Sequence, residues 1–381
     1  MKTIVSLDNN TQVFFELVRS GLWEKEVRLA PYGEVDFSEI LKLATEQSVV
    51  GLVAAGLEHV KDVKVPQEWT LQFIGSTLQI EQRNKAMNEF VEKLITLLRK
   101  NDVYALLLKG QGIAQCYEKP LWRASGDVDL LLSEENYQRA KQYLIPLARS
   151  VEAEESYTKH IGMFIEGWEV ELHGNLRGGI SSRCDKVLDG IWRDVFYAGN
   201  VRSWLNGKTQ VFLISADNDV FYVFSHILHH FYFEGVGLRQ VCDWCRLLFC
   251  YREKLDIRLL ESRIRKAGLT TEWKTFGVLA IEYLGYPKDS MPLLNSSNVQ
   301  EFKKFKRKAD RVMELILESG NFGHNIDQSY RQKYSGFKKR AISVRHYTKE
   351  ALQHFMIFPR NSVSAWCRLM KVGMRAAVRG E

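Results

Sequence analysis

The chain has 381 residues, with 53 Lys and Arg against 46 Asp and Glu, for a formal charge of +7 at pH 7. Its 45% hydrophobic and 12% aromatic content is enough for a sizeable core, and it has only 7 prolines, which excludes wholesale disorder and a fibrous or low-complexity chain. No run approaches the ~20 apolar residues of a membrane-spanning helix, and the N-terminal MKTIVSLDNN has too short an apolar stretch for a signal peptide. Six scattered cysteines read as reduced thiols rather than a disulfide framework, so a cytoplasmic location is expected. The charge is uneven: residues 301–381 hold 18 Lys and Arg against 7 Asp and Glu, so the first 300 are net acidic. A nucleic acid, a membrane surface or an anionic substrate are the partners such an imbalance points to.

In chain order, residues 1–100 read as helical. Val13, Phe14, Leu17 and Leu22 keep helical spacing; Asp36 and Glu39 resemble a capping box ahead of Ile40; Val49 to Leu57 is a small apolar helix; and Trp69 to Leu98 is a long one broken off before it by Pro66. The texture changes at Asn101. Val103 to Leu108 and Val128 to Leu132 read as buried strands, Gly112 to Glu118 as a short helix, Ser133 to Leu144 as a capped helix, and Gly162–Ile165 with Glu169–Leu172 as a hairpin around Glu166-Gly167. From Ser215 the pattern is helical again, through Phe233, then Leu238 to Tyr251 and onward to the C-terminus. The expected fold is α+β: a mixed-sheet core over residues 101–212, flanked by an N-terminal helical region (1–100) and a C-terminal helical region with a basic tail (213–381).

The segment LLLKGQGIAQCYEKPLWRASGDVDLLL, residues 106–132, carries the chemistry. Asp127 and Asp129 are two apart at the start of a strand and therefore share a face. Two carboxylates so close repel, and a hard divalent cation such as Mg²⁺ resolves the repulsion. A solvated turn entering a strand is the bland alternative, and Gly126 supports it equally well. A third carboxylate shifts the balance: in WEVELHGN, Glu169, Glu171 and His173 share a strand face, and a neighbouring strand can bring Glu171 beside the pair. Three such groups can hold two cations that bridge a nucleoside triphosphate and activate a hydroxyl.

Leu108-Lys109-Gly110, Arg123 through Leu131, Val170-Glu171-Leu172-His173, His229-His230-Phe231 and Gly237-Leu238-Arg239 with Asp243 follow one another in an order that resembles the uncharacterised bacterial nucleotidyltransferases. Those belong to the superfamily of DNA polymerase beta and the aminoglycoside nucleotidyltransferases. The resemblance implies transfer of a nucleoside monophosphate from an NTP, ATP among them, to an acceptor hydroxyl or phosphate, with release of pyrophosphate. It implies Asp127, Asp129 and Glu171 as catalytic ligands of two Mg²⁺ ions, with Mn²⁺ as a substitute. It places Lys109, Gly110, Gln111, Gly112, Arg123, Ser125 and Arg239 toward the nucleotide, and Asp243, His173 and His230 on the acceptor side or as base candidates. The superfamily's Gly-Ser or Gly-Gly turn is replaced here by Gly110-Gln111 and Gly112-Ile113, which lacks the phosphate-touching hydroxyl. A catalytically weakened nucleotide-binding module is therefore the alternative, and an RNA-directed transferase using the basic tail is another.

Three further features have ordinary readings beside functional ones. His226, His229 and His230 share a helix face, with a structural or substrate-lining role preferred over Zn²⁺. Cys242 and Cys245 read as buried thiols, and Arg239 with Asp243 as an i,i+4 ion pair or as phosphate ligand and base. The basic runs 302–308, 336–340 and 366–379 read first as solvated helix; the last also has the make-up of a helix in peripheral contact with a membrane surface. Nucleic acid is not favoured, because no aromatic-rich recognition signature accompanies the basic runs.

Overall fold

The computed structural model describes residues 7–294, 298–325 and 336–379. It is mostly helical, 65%, around one mixed seven-stranded sheet, as the α+β expectation requires. Four helices come first: α1 (Asn9–Trp23), α2 (Phe37–Glu46), α3 (Val50–Glu58) and the long α4 (Gln67–Lys100). Asp36 caps α2 by accepting from the Ser38 and Glu39 amides, but the expected box does not close: Glu39 pairs with Lys42 one turn on.

The mixed region follows as β1 (Ala105–Leu108), α5 (Gly110–Ala114), β2 (Asp127–Leu132), α6 (Glu134–Leu144), β3 (Ser150–Val151), β4 (His160–Ile165), β5 (Trp168–His173), α7 (Ser182–Ala198), β6 (Val201–Asn206) and β7 (Thr209–Ile214). Sheet order is β3-β4-β5-β2-β1-β7-β6, with β2/β5 and β1/β7 parallel and the other neighbours antiparallel. Glu166 and Gly167 both have positive φ, 49° and 90°, the turn that matches strand twist, so β4 and β5 pair as expected from Ile165↔Trp168 to His160↔His173. The hairpin β6–β7, turning at Gly207 with φ 58°, extends the sheet beyond what periodicity indicated.

The C-terminal helices are α8 (Ala216–Phe233), α9 (Leu238–Tyr251), α10 (Ile257–Ala267), α11 (Thr270–Leu284), α12 (Val299–Ser319), α13 (Gly336–Ile357) and α14 (Pro359–Arg379). Strand alternation divides the core into two layers. Ala105, Leu107, Val128, Leu130, Leu132, Val170 and Leu172 face α6 and the stripe Met87, Phe90, Val91, Leu94, Ile95, Leu98 of α4. Leu106, Leu108, Leu131 and Ile214 face the larger core built by α1–α3 and α7–α12. Among the described residues no helix is long and apolar enough to cross a membrane.

Candidate active site

The same alternation places the carboxylates. Val128 and Leu130 are sealed against α4 and α6, so Asp127 and Asp129 project from the opposite sheet face, toward α8 and α9; Val170 and Leu172 do the same for Glu169, Glu171 and His173. Parallel pairing of β2 with β5 then sets Asp129 opposite Glu171 and Asp127 opposite Glu169. Oxygen atoms of Asp127, Asp129 and Glu171 lie within 4.8 Å of one another. The three residues singled out from the sequence are thus brought together.

Charge at this point is dense and only partly compensated. Asp129 is 1% exposed; its Oδ1 accepts from Lys109 Nζ and His173 Nε2, each at 2.9 Å, while its buried Oδ2 has no partner among the described residues. Burial, with Asp127 and Glu171 nearby, holds the Asp129 carboxyl above its usual range despite Lys109 and His173. Glu171 Oε2 lies 3.1 Å from His160 Nε2 and 3.4 Å from His173 Nε2; burial would raise its carboxyl, but these two bonds outweigh it and hold it well below the usual range. Burial alone would lower Lys109, yet Asp129, Tyr222, Asp127 and Glu171 together hold its ammonium well above the ordinary lysine value. His173 likewise loses to burial but gains more from Asp129 and Glu171, and is pushed up to about 9. A carboxylate triad with an unpartnered buried oxygen and hard oxygen donors fits a divalent cation.

Lys109 reaches this place because β1 ends in a tight turn: Lys109 and Gly110 both have left-handed φ, 48° and 39°, where glycine is favoured. Its Nζ also meets His226 Nε2 of α8 at 3.2 Å. Burial and the Lys109 charge push the His226 imidazole well below its ordinary value, so it is a neutral acceptor. The adjoining cleft is lined by Lys109, Gly110, Arg123, Asp127, Asp129, His226, Arg239, Asp243 and Phe322 among others.

Of the remaining residues expected near the nucleotide, Gln111, Gly112 and Arg123 are buried beside the triad, while Ser125 and Arg239 are half-buried. The Gln111 amide donates to Asn84 Oδ1 of α4 at 3.2 Å, and Gln111 Oε1 accepts from Ser125 Oγ at 3.3 Å. A Cβ on Gly112 would lie 2.7 Å from Leu213 Cδ2, so this glycine serves close packing of α5 on β7. Arg123 forks onto Asp243, Nε to Oδ1 at 2.8 Å and a terminal nitrogen to Oδ2 at 2.6 Å, while Tyr117 Oη donates to Oδ1 at 2.8 Å. The i,i+4 pair of Asp243 with Arg239 does not form, because Arg123 occupies both carboxylate oxygens. Arg239 instead donates to Ala124 O at 2.9 Å, and its buried Nε has no partner among the described residues. His230 lies one step beyond the triad, 2.8 Å from His226 Nε2 and 2.8 Å from Glu234 Oε2. His229 contacts Gly178 O, and the α8 histidines form no metal-ligand group among the described residues. Cys242 and Cys245 are free and fully buried, and burial pushes both thiols up.

Two site residues were not identified from the sequence. Tyr222 of α8 had no local signal. His160 did: a two-residue turn at Glu166-Gly167 places it directly across from His173.

No curated protein and no solved structure matches this chain. A family model described as uncharacterised nucleotidyltransferase matches residues 33–285, about two thirds of the chain, and this span includes α2 through the last turn of α11 with the whole sheet and its carboxylates. With that span matched, the chain belongs to this uncharacterised nucleotidyltransferase family and is a transferase of nucleotidyl groups.

Proposed function

We propose a Mg²⁺-dependent enzyme that moves a nucleoside monophosphate from an NTP to an acceptor hydroxyl or phosphate and releases pyrophosphate. The meeting of Asp127, Asp129 and Glu171 on one sheet face, with Asp129 Oδ2 buried and unpartnered among the described residues, carries this reading. Bound there, two Mg²⁺ ions, or Mn²⁺, supply charge stabilisation at the transferred phosphoryl group and acidify the attacking hydroxyl. Asp127 and Asp129 would hold both ions, and Glu171 would complete the set. Lys109, poised on Asp129 at the cleft, and Arg239, with its unpartnered Nε, offset triphosphate charge. Asp243 holds Arg123 rather than acting as base, since Arg123 and Tyr117 take its oxygens. The helical regions on either side, 1–100 and 213–381, form the acceptor side. The test is NTP consumption with Mg²⁺ over a panel of small-molecule, sugar, protein and RNA-end acceptors. The double variant Asp127→Ala, Asp129→Ala is expected to lose more than ~100-fold in turnover, since even outer-shell partners of a metal are worth 10–100-fold; unchanged activity would sink the assignment.

One observation favours the second reading, a nucleotide-binding module with weakened catalysis. Gln111, which stands where the superfamily's turn has its small residue, turns inward to Asn84 and Ser125 and so offers phosphate no hydrogen bond. Calorimetry showing Mg²⁺-dependent NTP binding without turnover on any acceptor would select it. An RNA-directed role draws less support: in the 302–308 run Lys306 is tied to Glu282 and Asp310, and Lys308 to Ile357 O, while Phe305 is buried. RNA affinity that falls steeply with salt would restore it. The side chains of the 336–340 run and of residues 372–379 lie outside the described residues; of the last run, Trp366 bonds Thr348 of α13 and Arg368 pairs with Asp185 of α7 at 2.8 Å, so this part packs on the protein. A peripheral membrane contact and a cytoplasmic location remain part of the proposal.

A further inference from the structure

Beside the oxygen triad stands a second set of ligand-bearing atoms with a different chemistry. Ligand atoms of His160, Glu171 and His173, one from each, all lie within 4.8 Å of one another. The hairpin turn fixes this: β4 and β5 pair His160 with His173, and Glu171 is the next residue on the same face. In a tetrahedral site with metal–ligand distances of ~2.1 Å, neighbouring ligand atoms stand about 3.4 Å apart. Glu171 Oε2 is 3.1 Å from His160 Nε2 and 3.4 Å from His173 Nε2, close to that spacing. The two rings are tilted by 44° with centroids 4.9 Å apart, which aims both Nε2 atoms at one carboxylate oxygen instead of stacking the rings face to face.

We propose that His160, Glu171 and His173 form a second cation site, which takes a borderline divalent transition metal such as Co²⁺, Cu²⁺ or Zn²⁺ in the absence of nucleotide. Two imidazoles and one carboxylate suit such ions, whereas Mg²⁺ prefers oxygen alone. The site shares Glu171 with the oxygen triad and abuts it through Asp129 Oδ1, 2.9 Å from His173 Nε2. It does not depend on the transferase reading, because it needs neither nucleotide nor Asp127.

The experiment is a Co²⁺ titration of the full, nucleotide-free chain, read by visible ligand-field absorption. Expected are bands that saturate at one equivalent, persist in Asp127→Asn and in excess Mg²⁺, and vanish in His160→Gln. Absence of bands, bands unchanged in His160→Gln, or bands erased by Mg²⁺ would overturn the proposal. A measurement on the unsubstituted chain guards against a variant that fails to fold: pulsed EPR of Cu²⁺ bound at one equivalent in excess Mg²⁺ should show ¹⁴N coupling from imidazole, and its absence also overturns the site. Bands without NTP turnover would keep this site and remove the transferase reading; turnover without bands would do the reverse.

Discussion

Lys109 illustrates how much a single side chain does here. The side chain is 12% exposed and its ammonium sits on Asp129, where it offsets part of the charge that a cation would balance in the proposed reaction. Beside it, the Arg123–Asp243 fork is a structural counterpart, both side chains only 5% exposed. Removing one partner of such a pair leaves a charge buried without compensation. Asp243→Ala is therefore expected to cost about 3–5 kcal/mol in urea unfolding. A loss under 1 kcal/mol would show that Arg123 finds another acceptor. The sequence alone paired Asp243 with Arg239, since i,i+4 neighbours on a helix are visible in one dimension. The actual partner is 120 residues away, and only the packing of α9 on the loop after α5 brings it near.

At the scale of elements, α1 and α3 are held by backbone contact. A Cβ on Gly56 would lie 2.1 Å from Leu17 O, and one on Gly21 1.9 Å from Leu52 O, so neither glycine can grow without parting the helices. Gly56→Ala is expected to destabilise by at least the ~1–3 kcal/mol of ordinary overpacking, measured as a lower urea midpoint. Helix α13 carries a titration of its own. His354 is tucked against Phe231 and Tyr232, and burial pushes its imidazole down to about 4 from 6.5. Because the folded value is depressed, the neutral ring's contribution is complete above 6.5 and is lost as pH falls toward 4, where the unfolded chain takes up the proton. The loss of stability on going from pH 7 to 4.5 should shrink in His354→Leu, by on the order of 2–3 kcal/mol. An identical pH slope in the variant would mean that His354 is not the group responsible.

For the whole molecule, the cleft lies between the sheet and helices α8 and α9, elements separated in sequence and joined by ligand contacts under the proposed function. NTP with Mg²⁺ should therefore stabilise the entire chain, by about 2.7 kcal/mol at a hundred times Kd. The melting temperature should rise with ligand in the native chain and stay fixed in the Asp127→Ala, Asp129→Ala double variant. A rise of equal size in both would place the nucleotide elsewhere.

Taken alone, the sequence determined the local facts. Apolar periodicity and glycine breaks marked α6, α8 and α9 nearly to the residue, Asp36 and Ser133 marked the starts of α2 and α6 as caps while Ser215 makes no side-chain cap bond at α8, the Glu166-Gly167 turn set the β4–β5 hairpin, and spacing by two put each acidic pair on one strand face. The hairpin β6–β7 went unread although Asn206-Gly207 marks its turn, because its outer strand alternates weakly between buried and exposed positions. Tertiary structure alone decided which strand lies beside β2, which side chains the parallel register sets opposite one another, and that α8 lies over the carboxylates with His226 and Tyr222. The reason is physical: local patterns encode dihedral preference and facing, whereas convergence depends on distant apolar faces burying one another, and that burial is shared across the whole core.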